Sequence, residues 1–379
     1  MDFAEPASAP ALRAEIDAFL DRSFPPELRE EVYRTGVSHH DGFAAALHEQ
    51  GWLRLERTPD LDPFEIHLIV DELMKVEAPI YAVSTSMMVA NVIEAVGSEE
   101  LKAEVLPAVY RGEATIALGM SEPEAGSDVA AVQTRARWDD DAWVIDGSKM
   151  FTTNGHVTDY AFLLARTDPD VPNHRGLTTF LLPLNHPGVE AQAVYTLSGE
   201  RTNITYYSDV RLDDRWRIGE INQGWGALML SLQDEHSAGF VVHLEKLLEA
   251  TEAWAEDDAG AGRPLDDDLV AETLTRAATE LEVGQLLEQR VTWMESVGQV
   301  PVSQGPMAKL FGTEALVRHA ERLTELVGPD ALRSRLDPTA LQHGHIEHGL
   351  RFSLGTTIYA GTSEIQRNII AQRACGLPR

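Results

Sequence analysis

The chain has 379 residues, of which 44 % are hydrophobic and 24 % charged. That is long enough to bury cores of ordinary density in two or three packed regions, and too apolar for a disordered chain. Its 61 acidic against 31 basic residues leave a formal charge of -30, a field that repels nucleic acid and anionic membranes, so small molecules and proteins are the expected partners.

Residues 1–116 read as a helical domain. The opening "MDFAEPASAPALRAEIDAFL" has acidic residues ahead of its first arginine and no basic segment before an apolar run. No signal peptide is expected, and the cytoplasm is the expected location. Apolar residues at three- and four-residue spacing in "FAAALHEQGWL" and "FEIHLIVDELMKV" predict amphipathic helices. The stretch "IYAVSTSMMVANVIEAV" is interrupted by Ser84, Thr85, Ser86, Asn91 and Glu94, which predicts a buried helix rather than a membrane span.

Residues 117–220 change texture. "WVIDGSKMFTTN", "YAFLLART", "GLTTFLLP" and "ITYYSDVRL" are short, rich in β-branched and aromatic residues and separated by turn residues, which predicts a small β domain. Its opening, "ALGMSEPEAGSD", contains Glu122-Pro123 and Gly126-Ser127-Asp128. Such a turn is either a plain connector or a backbone-lined pocket for a planar polar ring.

Residues 221–379 return to helical periodicity. The long segments are "ALMLSLQDEHSAGFVVHLEKLLEATEAWA" and "AETLTRAATELEVGQLLEQRVTWM", with a Gly- and Asp-rich connector between them. Cys375 is the only cysteine, so an internal disulfide and a cysteine-built metal centre are excluded. His343, His345 and His348 cluster in "LQHGHIEHGLRF", but their spacing does not place all three on one helix face, and no metal site is expected. Near the end, Ser363 and Gln366 in "TTIYAGTSEIQRNII" have the spacing of a capping box and predict a helix start.

Five pieces, in order, carry a resemblance: "MSEPEAGSD", "DGSKMFTTNG", "GLTTFLLP", "YYSDVRL" and "GTSEIQRNIIAQRACGLPR". Together they resemble the acyl-CoA dehydrogenase family, over roughly residues 10 to 379. The resemblance implies a mainly α fold: an N-terminal helical domain, a middle β barrel and a C-terminal four-helix bundle, with FAD between barrel and bundle. It implies that Met120 and Ser121 lie against the flavin, that Gly126 and Ser127 are near it, that Phe151 packs on the ring and that Thr153 hydrogen-bonds to it. Thr362 and Glu364 match positions on the diphosphate side, where a helix N-terminus favours anions. Met87 and Met88 match an acyl-pocket helix, but at helical spacing such residues are more often plain core, and Arg201 reads equally as a contact to a CoA phosphate or as a surface ion pair.

The family's reaction, α,β-dehydrogenation of an acyl-CoA thioester, needs a buried carboxylate as base. In many members it immediately precedes the Gly-Thr-Ser of the last motif, where this chain has Ala360. In a subset similar to isovaleryl-, long-chain and steroid side-chain dehydrogenases the base stands on the first long bundle helix. Glu235 falls there, with His236 in place of the expected arginine, while the Ala360 N–H remains able to polarise the thioester carbonyl.

The family's trans grip on the FAD adenine end also departs. Asp258 falls on an arginine, Ala261 on a phenylalanine, Glu325 on a glutamine and Pro329 on a glycine. An aspartate in place of a phosphate-binding arginine reverses the local charge. The expectation is one subunit of a heteromer with a related dehydrogenase-like partner, similar to α2β2 steroid side-chain enzymes. The substrate expected is bulky, branched or steroid-like, and an electron-transfer flavoprotein is the expected acceptor. A non-catalytic structural subunit, or a dehydrogenase or monooxygenase of carrier-protein-bound acyl groups, stays open at this point.

Overall fold

A computed structural model describes residues 3, 5–58, 61–231, 239–256, 265 and 267–378. The chain divides into two compact units: residues 1–18, 60–77 and 236–379 form one, and residues 19–59 and 78–235 the other.

The second unit is built on a sheet. Its helices are α2 (Pro26–Thr35), α3 (Asp41–Gln50), α5 (Tyr81–Val96), α6 (Glu99–Tyr110) and α7 (Gly224–Ser231), together with the end of α1 (Ala9–Ser23). The strands are β1 (Ile116–Gly119), β2 (Arg135–Asp139), β3 (Ala142–Lys149), β4 (Tyr160–Arg166), β5 (Leu177–Pro183), β6 (Val189–Tyr195), β7 (Arg201–Leu212) and β8 (Arg217–Ile218). The stretch weighed as a membrane span is α5, buried along most of its length. No described helix is long and apolar enough to cross a membrane.

The hydrogen-bonded path runs β6-β7-β3-β2-β4-β5-β8, with β1 paired to β4 off it. The path is open, so the barrel expected from the resemblance is not closed by strand pairing. The end strands β6 and β8 do not pair with each other, and within the path the two antiparallel ladders join through the single pair Arg135↔Arg166 between β2 and β4. Further along that edge β4 pairs in parallel with β1, from Ile116↔Tyr160 to Gly119↔Leu163. β1 and β2 therefore take successive stretches of one edge of β4, and the intervening chain, residues 120–134, leaves the sheet as a loop.

One glycine is required here. The β3–β7 register shifts between Ile145 and Gly147, and Gly147 has φ +147, where an added Cβ would meet Thr134 Oγ1 at 2.6 Å. Beyond this bulge Lys149 is wholly enclosed. The sheet's core is Ile145, Phe162, Leu163, Phe180, Leu181 and Val210, joined by Val89, Ile93 and Met87 from α5.

The first unit is helical: α4 (Pro63–Lys75), α8 (Val242–Glu256), α9 (Asp268–Ser296), α10 (Gln304–Val327), α11 (His345–Thr356) and α12 (Ser363–Arg373). α4 begins with a complete capping box between Asp62 and Glu65, with Pro63 in its first turn. The core is aliphatic, with Leu244, Leu247, Leu274, Leu316, Leu323 and Ile346 among its residues. The segment expected to run as one helix from about residue 226 is seen as α7 and α8 on either side of residues outside the description.

Candidate active site

The loop between β1 and β2 starts at Met120 and Ser121, both half-buried. The Ser121 carbonyl accepts the Met150 N–H at 2.9 Å. Behind it, Lys149 Nζ donates to the Met120 carbonyl at 3.1 Å and to Glu122 Oε1 at 2.8 Å. Glu122 also accepts the N–H groups of Gln133 at 2.6 Å and Thr134 at 2.9 Å. One ion pair thus ties the start and the end of the loop to β3. Burial lowers the Lys149 ammonium to about 8, against the pull of Glu122. Gly126 and Ser127 lie on the exposed rim, with open space where a Gly126 Cβ would stand.

Phe151 follows β3 with φ +61 and is 56 % exposed. A left-handed φ at a non-glycine residue costs on the order of 1 kcal/mol. It persists here because its neighbours are tied down: Thr152 N–H donates to the Asn203 carbonyl at 3.0 Å and Asn203 Nδ2 to the Thr152 carbonyl at 2.9 Å. Thr153 Oγ1 is 3.1 Å from Thr202 Oγ1. An exposed aromatic face beside polar hydroxyls suits a planar heteroaromatic ring.

Met87 and Met88 are buried on α5. Met87 packs in the sheet core, the plainer of its two readings. Arg201 is half-buried and bonds Asn203 Oδ1 at 3.3 Å. It makes no ion pair among the described residues, and its Nε is enclosed without a hydrogen-bond partner. The surface ion pair weighed for Arg201 is therefore absent there, and its charge helps burial to push nearby His156 down to about 4.

In the helical unit, Ala360 and Gly361 are consecutive left-handed residues, φ +52 and +81, immediately before α12. Their carbonyls are held: Gln366 Nε2 donates to Ala360 O at 2.9 Å and to Gly361 O at 3.3 Å, and the enclosed Lys309 Nζ donates to Gly361 O at 2.6 Å. Among the described residues no protein acceptor takes the Ala360 N–H. The helix cap is Thr362, one residue before the Ser363 of the expected capping box: its hydroxyl accepts from Ile365 N–H at 3.3 Å. Gln366 is drawn away from the cap by the two carbonyls.

The Thr362 hydroxyl donates to the Glu364 carboxylate, whereas Ser363 Oγ, on a residue 6 % exposed, has no partner. That hydroxyl, at the positive end of the helix dipole, fits an anionic oxygen. Ser363 was missed as a ligand candidate because its spacing already read as a cap. Glu364 is exposed, and its own N–H and the Thr362 hydroxyl hold its carboxyl below the usual range. Glu325 and Pro329 are exposed. Glu235, His236, Asp258 and Ala261 lie outside the described residues.

Two clusters were not legible in the sequence. His67 and Asp71, one turn apart on α4, and Glu288 on α9 bring one ligand atom each within 4.8 Å of one another. Glu288 is committed through Oε1 to the N–H groups of Phe240 at 2.9 Å and Val241 at 3.3 Å, at the start of α8. Burial and the nearby Asp71 push Glu288 up to about 7, and burial with Glu245 and Glu72 nearby pushes Asp71 up to about 8, so these carboxyls hold protons near neutrality. The second cluster centres on Glu77, which meets Lys246 Nζ at 2.6 Å, His348 Nδ1 at 3.5 Å and the Arg335 guanidinium. His348 and His345 thus belong to a packed ionic network, and of the three clustered histidines His343 alone stands exposed.

The comparisons with known proteins agree with this layout. The family models for the N-terminal, middle and C-terminal domains of acyl-CoA dehydrogenases match residues 7–113, 117–214 and 222–375. The chain belongs to the acyl-CoA dehydrogenase family and is an enzyme of that class; family members are FAD-dependent flavoproteins. It is 32 % identical to acyl-CoA dehydrogenase FadE26 of Mycobacterium tuberculosis, over 97 % of this chain and 96 % of that one. Among solved structures it is similar to the Tcur3481–Tcur3483 steroid ACAD, with a TM-score of 0.91 and 30 % identity over 100 % of both chains. The ChsE4–ChsE5 complex from Mycobacterium tuberculosis gives a TM-score of 0.89 and 32 % identity over 100 % of both chains.

Proposed function

We propose that this chain is one subunit of a heteromeric, FAD-dependent acyl-CoA dehydrogenase of the cytoplasm, acting on a bulky, branched or steroid-like acyl-CoA thioester. The observation that carries this reading is the full-length similarity to two solved assemblies, one described as a steroid ACAD and the other as a complex of two named chains. The reversed charge of Asp258 at the position of a phosphate-binding arginine agrees with it.

Bound FAD supplies the acceptor for the hydride that leaves the β-carbon. The chain's own groups do the rest. Phe151 would pack on the ring, Met120, Ser121 and Thr153 would hold its polar edge, and Gly126 and Ser127 would line the rim. Thr362 and Ser363 would meet a phosphate oxygen, with Glu364 beside them. Glu235 takes the α-proton. As that proton leaves, negative charge grows on the thioester oxygen, and the Ala360 N–H stabilises it. The two peptides that follow this N–H are held at their carbonyls by Gln366 and Lys309. A related subunit completes the adenine end of the FAD site, and an electron-transfer flavoprotein reoxidises the complex.

The test is the visible spectrum, read as flavin per polypeptide. Purified alone, the chain is expected to be nearly colourless; co-expressed with a related chain, the pair is expected to hold about one FAD. Stoichiometric flavin on the lone chain would sink the heteromer. In the assembled complex Glu235→Gln is expected to retain flavin and lose at least about a hundredfold in turnover, the range of a general base. Unchanged turnover would refute its assignment as base.

A further inference from the structure

Three ionised side chains sit inside the sheet unit, behind the loop that opens with Met120. Lys149 is 0 % exposed, and Glu122 and Arg166 are each 8 % exposed. Lys149 donates to Glu122 Oε1 at 2.8 Å and to the Met120 carbonyl at 3.1 Å. Arg166 has no carboxylate in contact among the described residues. Its Nη1 donates to the Asn173 carbonyl at 2.8 Å, and its Nη2 to the carbonyls of Ala130 at 2.5 Å and Val132 at 3.3 Å. Its charge acts on Lys149, and the Glu122 charge acts on it.

Two enclosed cations against one carboxylate leave one net positive charge under the loop. Packing alone gives little reason for this: a buried ion pair is weak support for stability, and apolar residues of similar volume often do as well. A fixed positive charge in a dry interior does act strongly on any charge that develops next to it. The group assigned to this loop is the flavin ring, which gains one negative charge when it takes up a hydride.

We propose that Lys149, Glu122 and Arg166 form a charge-setting device for the flavin: Lys149 is a positioning residue that holds the Met120–Ser121 backbone, and the net positive charge of the three raises the reduction potential of the bound ring. This inference rests on the flavin-dependent reading above. Even with burial lowering it to about 8, Lys149 is mostly cationic at neutral pH.

The test is the two-electron midpoint potential of the flavin in the assembled complex, measured by equilibrium dye titration for four variants. Lys149→Met removes a positive charge and is expected to shift the reduction equilibrium about tenfold towards the oxidised form, roughly 30 mV for a two-electron couple. Glu122→Gln removes the negative charge together with the partner that favours the Lys149 ammonium. A shift the other way is therefore expected at the acid end of a pH series, where Lys149 keeps its proton, and is expected to vanish at the alkaline end, where it does not. The double variant, Lys149→Met with Glu122→Gln, restores the original net charge and is expected to return towards the starting potential. Lys149→Arg keeps the charge and is expected to stay near it.

A purely structural role would instead move both single variants in the same direction and leave the double variant the worst of the four. That pattern, or no shift in either single variant, overturns the proposal. Where Lys149→Met does not assemble, Glu122→Gln and Lys149→Arg carry the same decision, a rise against no change. A flavin-loaded complex whose potentials fail to diverge sinks this inference alone, whereas a native complex that holds no flavin sinks it together with the functional reading.

Discussion

Ser363 and Gly361 show what single residues decide at the start of α12. An enclosed hydroxyl without a partner costs about 1–3 kcal/mol, and Ser363 Oγ is in that position. Ser363→Ala is therefore expected to raise the stability of the flavin-free chain by up to about 1 kcal/mol while weakening FAD retention, as read by urea unfolding and by flavin release on dilution. Destabilised flavin-free protein would show that the hydroxyl is already satisfied. Gly361 sits at φ +81, and an added Cβ would meet Gln366 Nε2 at 2.8 Å. Gly361→Ala is expected to cost roughly 1–2 kcal/mol from the left-handed backbone alone. It should also displace the amide that holds the Ala360 carbonyl, so turnover is expected to fall by more than stability explains. The sequence placed Thr362 next to a helix start, yet the cap, the orphan hydroxyl and the pinned carbonyls depend on which side chain wins each backbone group. Spacing alone does not rank those contests.

At the scale of elements, the end of α4 is joined to α8 and α11 through Glu77. Lys246, His348 and Arg335 hold the Glu77 carboxyl well below its usual range despite its burial. A depressed carboxyl contributes stability that is complete above its unfolded value near pH 4 and is lost as pH falls through the folded one. Burial lowers His243 and His348 to about 4 and His345 to about 3. The unfolded chain therefore takes up protons at these histidines from about pH 6.5 downward, before the folded one does. Both effects have the same sign. The contribution of this network is expected to be complete above about pH 6.5 and to decline with acid, most steeply between about pH 6.5 and 4, where the histidines differ between folded and unfolded chains. The raised Asp71 and Glu288 carboxyls act the other way, with stability present below about pH 4 and lost as pH rises through about 7 to 8. Glu77→Gln, which leaves two cations facing a neutral amide, is expected to cost about 3 kcal/mol at pH 7 and to flatten the limb below pH 4. An unchanged acid limb in chemical unfolding across pH would contradict this. The helices themselves were legible, because the 3.6-residue period of α3, α4 and α9 is local. The network was not, since its members come from residues 77, 246, 335 and 348.

At the scale of the whole molecule, a formal charge of -30 makes self-repulsion a general load on the folded state. Raising ionic strength from 0.01 M to 0.15 M shortens the Debye length from about 30 to about 8 Å. The melting temperature is expected to rise by a few degrees over that range; a fall would mean that screened ion pairs outweigh the repulsion. By itself, the sequence determined the helical and strand-rich segments, the family, the flavin cofactor and the absence of an internal disulfide. All of these rest on local period, residue type or contiguous motifs. The tertiary structure alone decided that the sheet path stays open, because closure depends on the end strands β6 and β8 pairing, and among the described strands they pair only with β7 and β5. It decided that residues 60–77 cluster with the C-terminal helices, because burial of an amphipathic face is settled by the partner that fits, not by position in the chain. It also decided that Lys149, Glu122 and Arg166 share one interior. Their proximity follows from a bulge at Gly147 and from β1 and β2 dividing one edge of β4, and strand register is a property of pairs of segments that no single segment encodes.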